Sequence, residues 1–161
     1  MNDKFPEIIL SGKRATKKLT CPVLQSPLSG VSDQCFRKLV RKWAPDALLF
    51  TEMISATRLK IETGDSKLND LSEESGPLGV QLFDNRIGSI VDGAKQAEAS
   101  GAFIIDINMG CPVRKITRKG GGSSLIRDPK LAEKIVKEVV KAVQIPVSVK
   151  TRLGWCDKSA N

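Results

Sequence analysis

Residues 103–112 read Phe-Ile-Ile-Asp-Ile-Asn-Met-Gly-Cys-Pro. An apolar run closed by a Gly-Cys-Pro turn predicts a buried strand over residues 103–108. The strand ends on Asp106 and Asn108 and hands over at once to Cys111, so two polar side chains and a thiol meet at one end of a sheet. In barrels of parallel strands the C-terminal strand ends carry the chemistry. Cys111 is therefore the candidate reactive residue.

Strand and helix signals alternate on both sides of this stretch. Upstream, Pro77-Leu-Gly-Val-Gln-Leu-Phe83 predicts a strand with Gln81 near its end. Asp84 or Asn85 can cap a helix through Ser100, with Ile87, Ile90, Val91, Ala94 and Ala97 as its apolar stripe and Gly101 as its C′ residue. Downstream, the basic segment from Val113 runs into a Gly-rich stretch ending at Ser124, expected to have exposed backbone N–H groups. Asp128-Pro129 is an N-cap followed by Pro at the first helical position. Leu131, Ile135, Val139 and Val143 recur every four residues after it and define a helix. Gln144-Ile-Pro-Val-Ser-Val-Lys150 predicts the next strand, ending in Lys150 and Arg152.

Nearer the start, residues 1–18 are a basic lead-in, and residues 19–161 form the domain proper. Leu19 to Gln25 reads as a first strand and Ser26-Pro27-Leu28-Ser29-Gly30 as a loop. Ser32 or Asp33 caps a helix whose Phe36, Leu39, Val40 and Trp43 predict a buried face. Arg37, Lys38, Arg41 and Lys42 are expected on its solvated face. Asp46 to Met53 reads as a second strand ending in Thr51 and Glu52. Residues 54–76 connect it onward, with a short helix through Ile54, Arg58, Leu59 and Ile61 and then polar loop.

Strands alternating with helices predict an α/β fold with a parallel sheet. The repeat length fits a doubly wound sheet or a (β/α)8 TIM barrel. A full barrel needs about 250 residues. At 161 residues, with about five strands and no closing helix, the chain reads as the N-terminal part of a longer, incomplete barrel. Its first and fifth strands would then be edges.

Composition narrows the function. The formal net charge of +8 favours an anionic partner or simply keeps the chain soluble. Two Trp, five Phe and no Tyr argue against a module that stacks RNA bases on aromatic platforms. Cys21, Cys35, Cys111 and Cys156 form no paired motif, and the chain has no His, so no metal site is expected. The missing His also excludes a Cys-His or Ser-His-Asp site within these residues. No signal peptide is evident, and no apolar run approaches the roughly 20 residues that cross a bilayer. Free thiols suit a cytoplasmic location.

The strand ends collect Ser26-Pro27-Leu28, Glu52, Gln81, Asn108 with Cys111, and Lys150 with Arg152 on one rim. Amides and cations that can hydrogen-bond a planar heterocycle, beside a thiol, suit an organic redox cofactor. Residues 20–155 resemble the N-terminal half of a flavin-dependent tRNA-dihydrouridine synthase, the Dus family in its bacterial form. The resemblance lies in Ser-Pro-Leu-Ser-Gly-Val-Ser-Asp (26–33) with Phe36-Arg37, Thr51-Glu52-Met53, Gln81-Leu-Phe83, Asp106-Ile-Asn-Met-Gly-Cys-Pro112, Lys119 with Gly120 to Ser124, and Val149-Lys150-Thr-Arg152.

The resemblance implies an FMN-binding TIM barrel that reduces the 5,6 double bond of uridine in tRNA. NADPH or NADH would reduce FMN, flavin N5 would pass hydride to uracil C6, and Cys111 would donate a proton to C5. An ordinary thiol, with a pKa of about 8.5, carries that proton at neutral pH. The family's Ala-Pro-Met turn is Ser26-Pro27-Leu28 here, and its flavin-binding Gln and Lys match Gln81 and Lys150. Asn108 matches the Asn that holds the target uracil. Arg114 and Lys115, with Arg118 and Lys119, are candidate tRNA phosphate contacts. The family's later His-x-Arg strand, phosphate-binding turns and helical tRNA-binding domain have no counterpart in these residues, and the full-length enzyme is expected to be a monomer. Two alternatives stand beside this reading: another FMN-dependent barrel oxidoreductase acting on a small pyrimidine, such as a dihydroorotate-type dehydrogenase, and an inactive truncated product.

Overall fold

A computed structural model describes residues 7–61 and 68–160. An antiparallel hairpin, β1 (Ile8–Ser11) with β2 (Thr16–Leu19), comes first. Helix α1 (Gln34–Trp43) follows, then two short strands, β3 (Leu49–Phe50) and β4 (Ile54–Ser55), and helix α2 (Ala56–Ile61). Strand β5 (Leu78–Phe83), helix α3 (Ile87–Ala99) and strand β6 (Ile104–Met109) form the centre. A one-turn helix α4 (Arg114–Thr117), helix α5 (Pro129–Ala142) and strand β7 (Val147–Thr151) complete the order.

The strands pair in parallel in the order β3-β5-β6-β7, with β4 continuing β3's edge along β5. This is the expected α/β architecture with a parallel sheet, and β7 closes one edge, pairing with β6 alone among the described strands. The predicted first strand is not a ladder strand. Within residues 19–25, Leu19 ends the hairpin, and only Leu24 bridges the sheet, to Leu48. Pro22 explains the difference, because a residue without an N–H cannot serve a ladder. The predicted strand over 46–53 is also split, into β3 and β4.

Side chains alternate between the two faces of each strand. On the outer face, Leu49, Leu78, Val80, Leu82, Ile105 and Ile107 bury themselves against Ile90, Ala94 and Ala97 of α3 and Ile135 and Val139 of α5. Each such aliphatic side chain contributes about 1.5–3 kcal/mol by leaving water. On the inner face, Leu48, Phe50 and Ile104 form a second apolar cluster with Leu19, and Ile8 and Leu10 of the hairpin pack against it. The described part of the lead-in, from Glu7 onward, is thus folded: its hairpin sits at the N-terminal ends of the strands, with the Lys17 ammonium 5.2 Å from the Phe103 ring centre. Gly79 belongs to this layer, because a side chain there would collide with the Phe50 ring.

The helix ends follow the sequence. The Asp33 carboxylate accepts from the Phe36 N–H, and that of Asp128 from the Leu131 N–H, with Pro129 inside the first turn. Gly101 takes φ +95° just past α3. At the start of α3 the expected cap differs. Arg86 is the capping residue and makes no side-chain cap, while the Asp84 carboxylate accepts the Asn85 and Arg86 N–H groups. The expected short helix near residue 58 is α2. Of the predicted polar loop, residues 62–67 lie outside the described residues and 69–73 form a 3-10 turn.

Helix α1 reverses part of its expected orientation. Arg37 and Arg41, placed on the solvated face by the sequence, are buried, whereas Leu39 and Trp43 of the expected apolar face are 54% and 85% exposed. Glu74 is the reason. Its two carboxylate oxygens each lie 3.0 Å from a guanidinium Nε, of Arg37 and of Arg41. Arg41 also donates to the carbonyls of Pro45, Ala47 and Pro77, and Arg37 to that of Ser32. A remote acid and a ring of carbonyls outweigh the pull of two apolar side chains.

Candidate active site

The inner face changes character along the strands. Above the apolar layer of Phe50, Gly79 and Ile104, the next layer is polar: Gln81 on β5, Asp106 on β6 and Ser148 on β7 are register partners. One step further, Asn108 pairs in register with Lys150. Alternation alone places Asp106 and Asn108 on the same inner face.

These side chains form one hydrogen-bonded row. The Ser148 hydroxyl donates to Asp106 at 2.6 Å, and Gln81 Nε2 donates to the other Asp106 oxygen at 2.6 Å. Asn108 Nδ2 donates to Gln81 Oε1 at 2.9 Å. Asn108 Oδ1 accepts the backbone N–H groups of Cys111 and Gly110, at 2.9 and 3.2 Å. An ionised Asp106 can only accept, so it turns the Gln81 NH2 group toward itself and the Gln81 carbonyl toward Asn108. Asn108 is thereby oriented from both ends. Its oxygen is saturated by two backbone donors, and among the described residues its second N–H faces only the Met53 sulfur, a weak acceptor, at 3.9 Å.

Burial raises the Asp106 carboxyl above its ordinary range, opposed by the hydrogen bonds from Ser148 and Gln81 and by the positive charge of Lys150. Gln81, Asp106 and Asn108 are all buried, while Lys150 is exposed, and its ammonium takes no hydrogen bond among the described residues. Gln81 is further fixed by its own N–H, which donates to Thr51 Oγ1 at 3.2 Å.

Cys111 is a half-buried free thiol on the turn that Asn108 ties down. The turn is braced from behind. Ser123 N–H donates to the Cys111 carbonyl at 2.9 Å, and Gly122 takes φ +59° against it. A Cβ at position 122 would lie 2.6 Å from that carbonyl oxygen, so only glycine lets the chain pass this close to Cys111. The Gly-rich run is consequently not the row of exposed N–H groups the sequence suggested. Gly121, Gly122 and Ser123 are buried, and the N–H groups of Gly120, Gly121 and Ser123 are used within the loop.

The other expected residues fall around this row. Ser26, Pro27 and Leu28 lie on a loop held by Ser32, whose hydroxyl is 2.9 Å from the Leu28 N–H, and by Glu52, which accepts from Gly30 N–H. Glu52 is therefore a strut for that loop. Arg114 and Lys115 are exposed on α4, three and four residues past Cys111, and do not join the row. Arg152 Nε donates to the Gly110 carbonyl at 2.7 Å, a brace on the same turn. Asp106, Ser148 and Thr51 were not singled out for a role by the sequence; the period-two relation of Asp106 to Asn108 was the available signal. Among the described residues no group of His, Cys, Asp or Glu could hold a metal ion, and no helix is long and apolar enough to cross a membrane.

Residues 24–161 match the family model for dihydrouridine synthases. The chain belongs to the dihydrouridine synthase (Dus) family. Relatives agree: it is 55% identical over 139 residues to a Synechocystis protein named probable tRNA-dihydrouridine synthase 1, covering 86% of this chain and 39% of that protein. It is 39% identical over 146 residues to a Rickettsia bellii protein named probable tRNA-dihydrouridine synthase, covering 89% of this chain and 44% of the relative. It is likewise 39% identical over 140 residues to the Vibrio parahaemolyticus protein named tRNA-dihydrouridine synthase B, with 86% and 43% coverage. The chain thus spans about two fifths of the length of these curated relatives. Within the Dus family's matched span lie the polar row, the Cys111 turn and the Ser26-Pro27-Leu28 loop.

Proposed function

We propose that this chain is the Cys111-bearing portion of a tRNA-dihydrouridine synthase, in which residues 19–161 form the N-terminal part of a (β/α)8 barrel and residues 1–18 lead into it. The observation that carries the reading is the continuous row from Asp106 through Gln81 to Asn108, which ends on the backbone of the reactive Cys111 turn.

The donor set fits FMN. Gln81 keeps one N–H and one lone pair, and Lys150 keeps its ammonium, so the barrel mouth offers hydrogen bonds to ring carbonyls and nitrogens and a cation beside them. Ser26, Pro27 and Leu28 would line the flavin from the loop beyond β3, with the Ser26 N–H and the Pro27 carbonyl as the backbone groups not spent among the described residues. FMN held by Gln81 and Lys150 would supply hydride chemistry for uracil C6, with NADPH or NADH as the source of reducing equivalents.

The chain's own residues do the rest. The second Asn108 N–H has no stronger partner among the described residues than the Met53 sulfur, so it exchanges that contact for a carbonyl oxygen of the target uracil and repels a base that offers a donor at that point. The Cys111 thiol releases its proton to C5 as the 5,6 double bond becomes single, and the resulting thiolate regains a proton from solvent. Arg114 and Lys115 hold phosphates of the tRNA. The protein acts in the cytoplasm as a monomer with tRNA as its partner.

Cys111→Ala tests the assignment. Loss of a positioned proton donor lowers dihydrouridine formation in tRNA by about 10²–10⁴-fold, while bound flavin, read from its visible absorbance, is unchanged. Wild-type turnover in that variant would remove Cys111 from the mechanism.

A further inference from the structure

A cleft of about 620 Å³ opens beside the Cys111 turn, between the β4–α2 junction and the loops that follow β5 and β6. None of the roles above uses it as a pocket. Met53, Phe83 and Ile116 give it an apolar lining, and Arg58, Lys115 and Lys119 supply cations. Those three are exposed, and their charged groups have no hydrogen bond or ion pair among the described residues. The carboxylate in the cleft, that of Asp84, is already consumed. It accepts from Thr57, from the Arg86 guanidinium and from two backbone N–H groups. Burial opposes its ionisation, but these donors prevail and hold its carboxyl below the ordinary range. The free charge of the cleft is therefore positive.

The cleft is continuous with the reactive site. Met53, in its wall, places its sulfur 3.9 Å from Asn108 Nδ2. Val113 lines it two residues after Cys111, and Gly121 lines it next to the glycine packed on the Cys111 carbonyl. An apolar slot with unpaired cations matches a nucleotide, which joins a planar base to a phosphate. The volume lies within the range of small-ligand sites.

We propose that this cleft seats the nucleotide adjacent to the target uridine in the RNA strand, its base against Met53 and Phe83 and its phosphate on Arg58 and Lys119. The inference rests on the dihydrouridine synthase reading above, and it explains how a uridine leaving its stack is steered toward Cys111: the neighbouring nucleotide is held one step away. A nicotinamide dinucleotide shares this ligand chemistry. The shared wall with Asn108 and Cys111 favours the RNA strand, because that wall adjoins the residues that take the uracil.

The test uses the protein purified with its flavin and an unmodified tRNA transcript. Arg58→Gln combined with Lys119→Gln is expected to raise the tRNA Kd about tenfold near 0.1 M salt and to make its logarithmic salt dependence shallower by about 1.4. Arg58→Lys with native Lys119 keeps both charges and should bind tRNA nearly as the wild type does. An unchanged Kd and salt slope in the double variant overturns the proposal. So does a double variant that keeps its tRNA affinity but slows NADPH-driven bleaching of the flavin, since the cleft then serves the reductant. If the wild-type protein forms no dihydrouridine at all, the underlying reading fails and the seat falls with it. Dihydrouridine formation by the wild type, with tRNA affinity unaltered in the double variant, defeats the seat alone.

Discussion

The Arg37–Glu74–Arg41 cluster beneath α1 and the Asp106–Gln81–Asn108 row at the strand ends are both buried and both joined by hydrogen bonds of 2.6–3.0 Å. They differ in what is left over. Arg41 spends four of its hydrogen bonds on Glu74 and on the carbonyls of Pro45, Ala47 and Pro77, and Glu74 spends both oxygens on guanidinium groups. That cluster is closed in the sense that each of these bonds ends inside the fold. It pins α1 to the start of β5 and, through the Ser32 carbonyl and hydroxyl, supports the loop carrying Ser26, Pro27 and Leu28. The row at the strand ends is open. Gln81 retains a donor, Asn108 holds its second N–H only against the Met53 sulfur, and Lys150 beside them is unspent among the described residues. A buried polar group whose bonds all end inside the protein holds the fold, whereas one left with an oriented free valence toward the barrel mouth is available to a ligand.

The largest effect expected from breaking this contrast is at the closed cluster. Glu74→Ala leaves two guanidinium groups buried without their acid, and removal of one partner from such a cluster costs about 3–5 kcal/mol. Denaturant unfolding should report a loss of that size. A loss below about 1 kcal/mol, the level of a surface ion pair, would mean that Glu74 does not close the cluster and would erase the distinction.

The two clusters were unequally legible in the sequence. The open row was largely readable: Gln81 and Asn108 stand at the ends of apolar runs, and Cys111 follows in a Gly-Cys-Pro turn. Helix α5 was readable from its Asp128-Pro129 start and its four-residue apolar repeat, all local signals. The closed cluster was not. On α1, Arg37 with Arg41 and Leu39 with Trp43 are each spaced by four residues, so each pair defines a helix face. Hydrophobicity favours burying the second pair, yet an acid more than thirty residues away buries the first. Nothing local announces Glu74. The first strand failed for a different reason, since the apolar run through residues 19–25 carries Pro22, and its contact with the sheet shrinks to one bridge.

A smaller effect is expected within the open row. Gln81→Glu keeps the shape but sets an oxygen against the Asp106 oxygen now 2.6 Å from Nε2. Two carboxylates at that distance must share a proton, and one of them is then driven to a raised pKa. The variant should lose about 1–3 kcal/mol at neutral pH, recover part of it in acid as the shared proton is taken up, and bind less flavin. Stability equal to wild type at neutral pH would show that the Gln81–Asp106 bond does not orient the row.

The smallest effect concerns the proton on Asp106. Its folded carboxyl is raised above the ordinary 3.8, chiefly by burial. Between 3.8 and the raised value the folded protein binds more protons than the unfolded chain, so this group makes stability fall as pH rises through that window. The fall is limited, because Ser148, Gln81 and Lys150 all favour the ionised form. Asp106→Asn mimics the protonated state: its oxygen can accept from Gln81 while its NH2 donates to the Ser148 hydroxyl. The variant should therefore match wild type near pH 4, gain on it as pH increases, and keep Gln81 oriented as before. Unfolding midpoints measured for both proteins across that range decide the point. Parallel curves would mean that Asp106 is ionised as easily in the folded barrel as in the unfolded chain, and the row would then be held by a carboxylate that burial does not perturb.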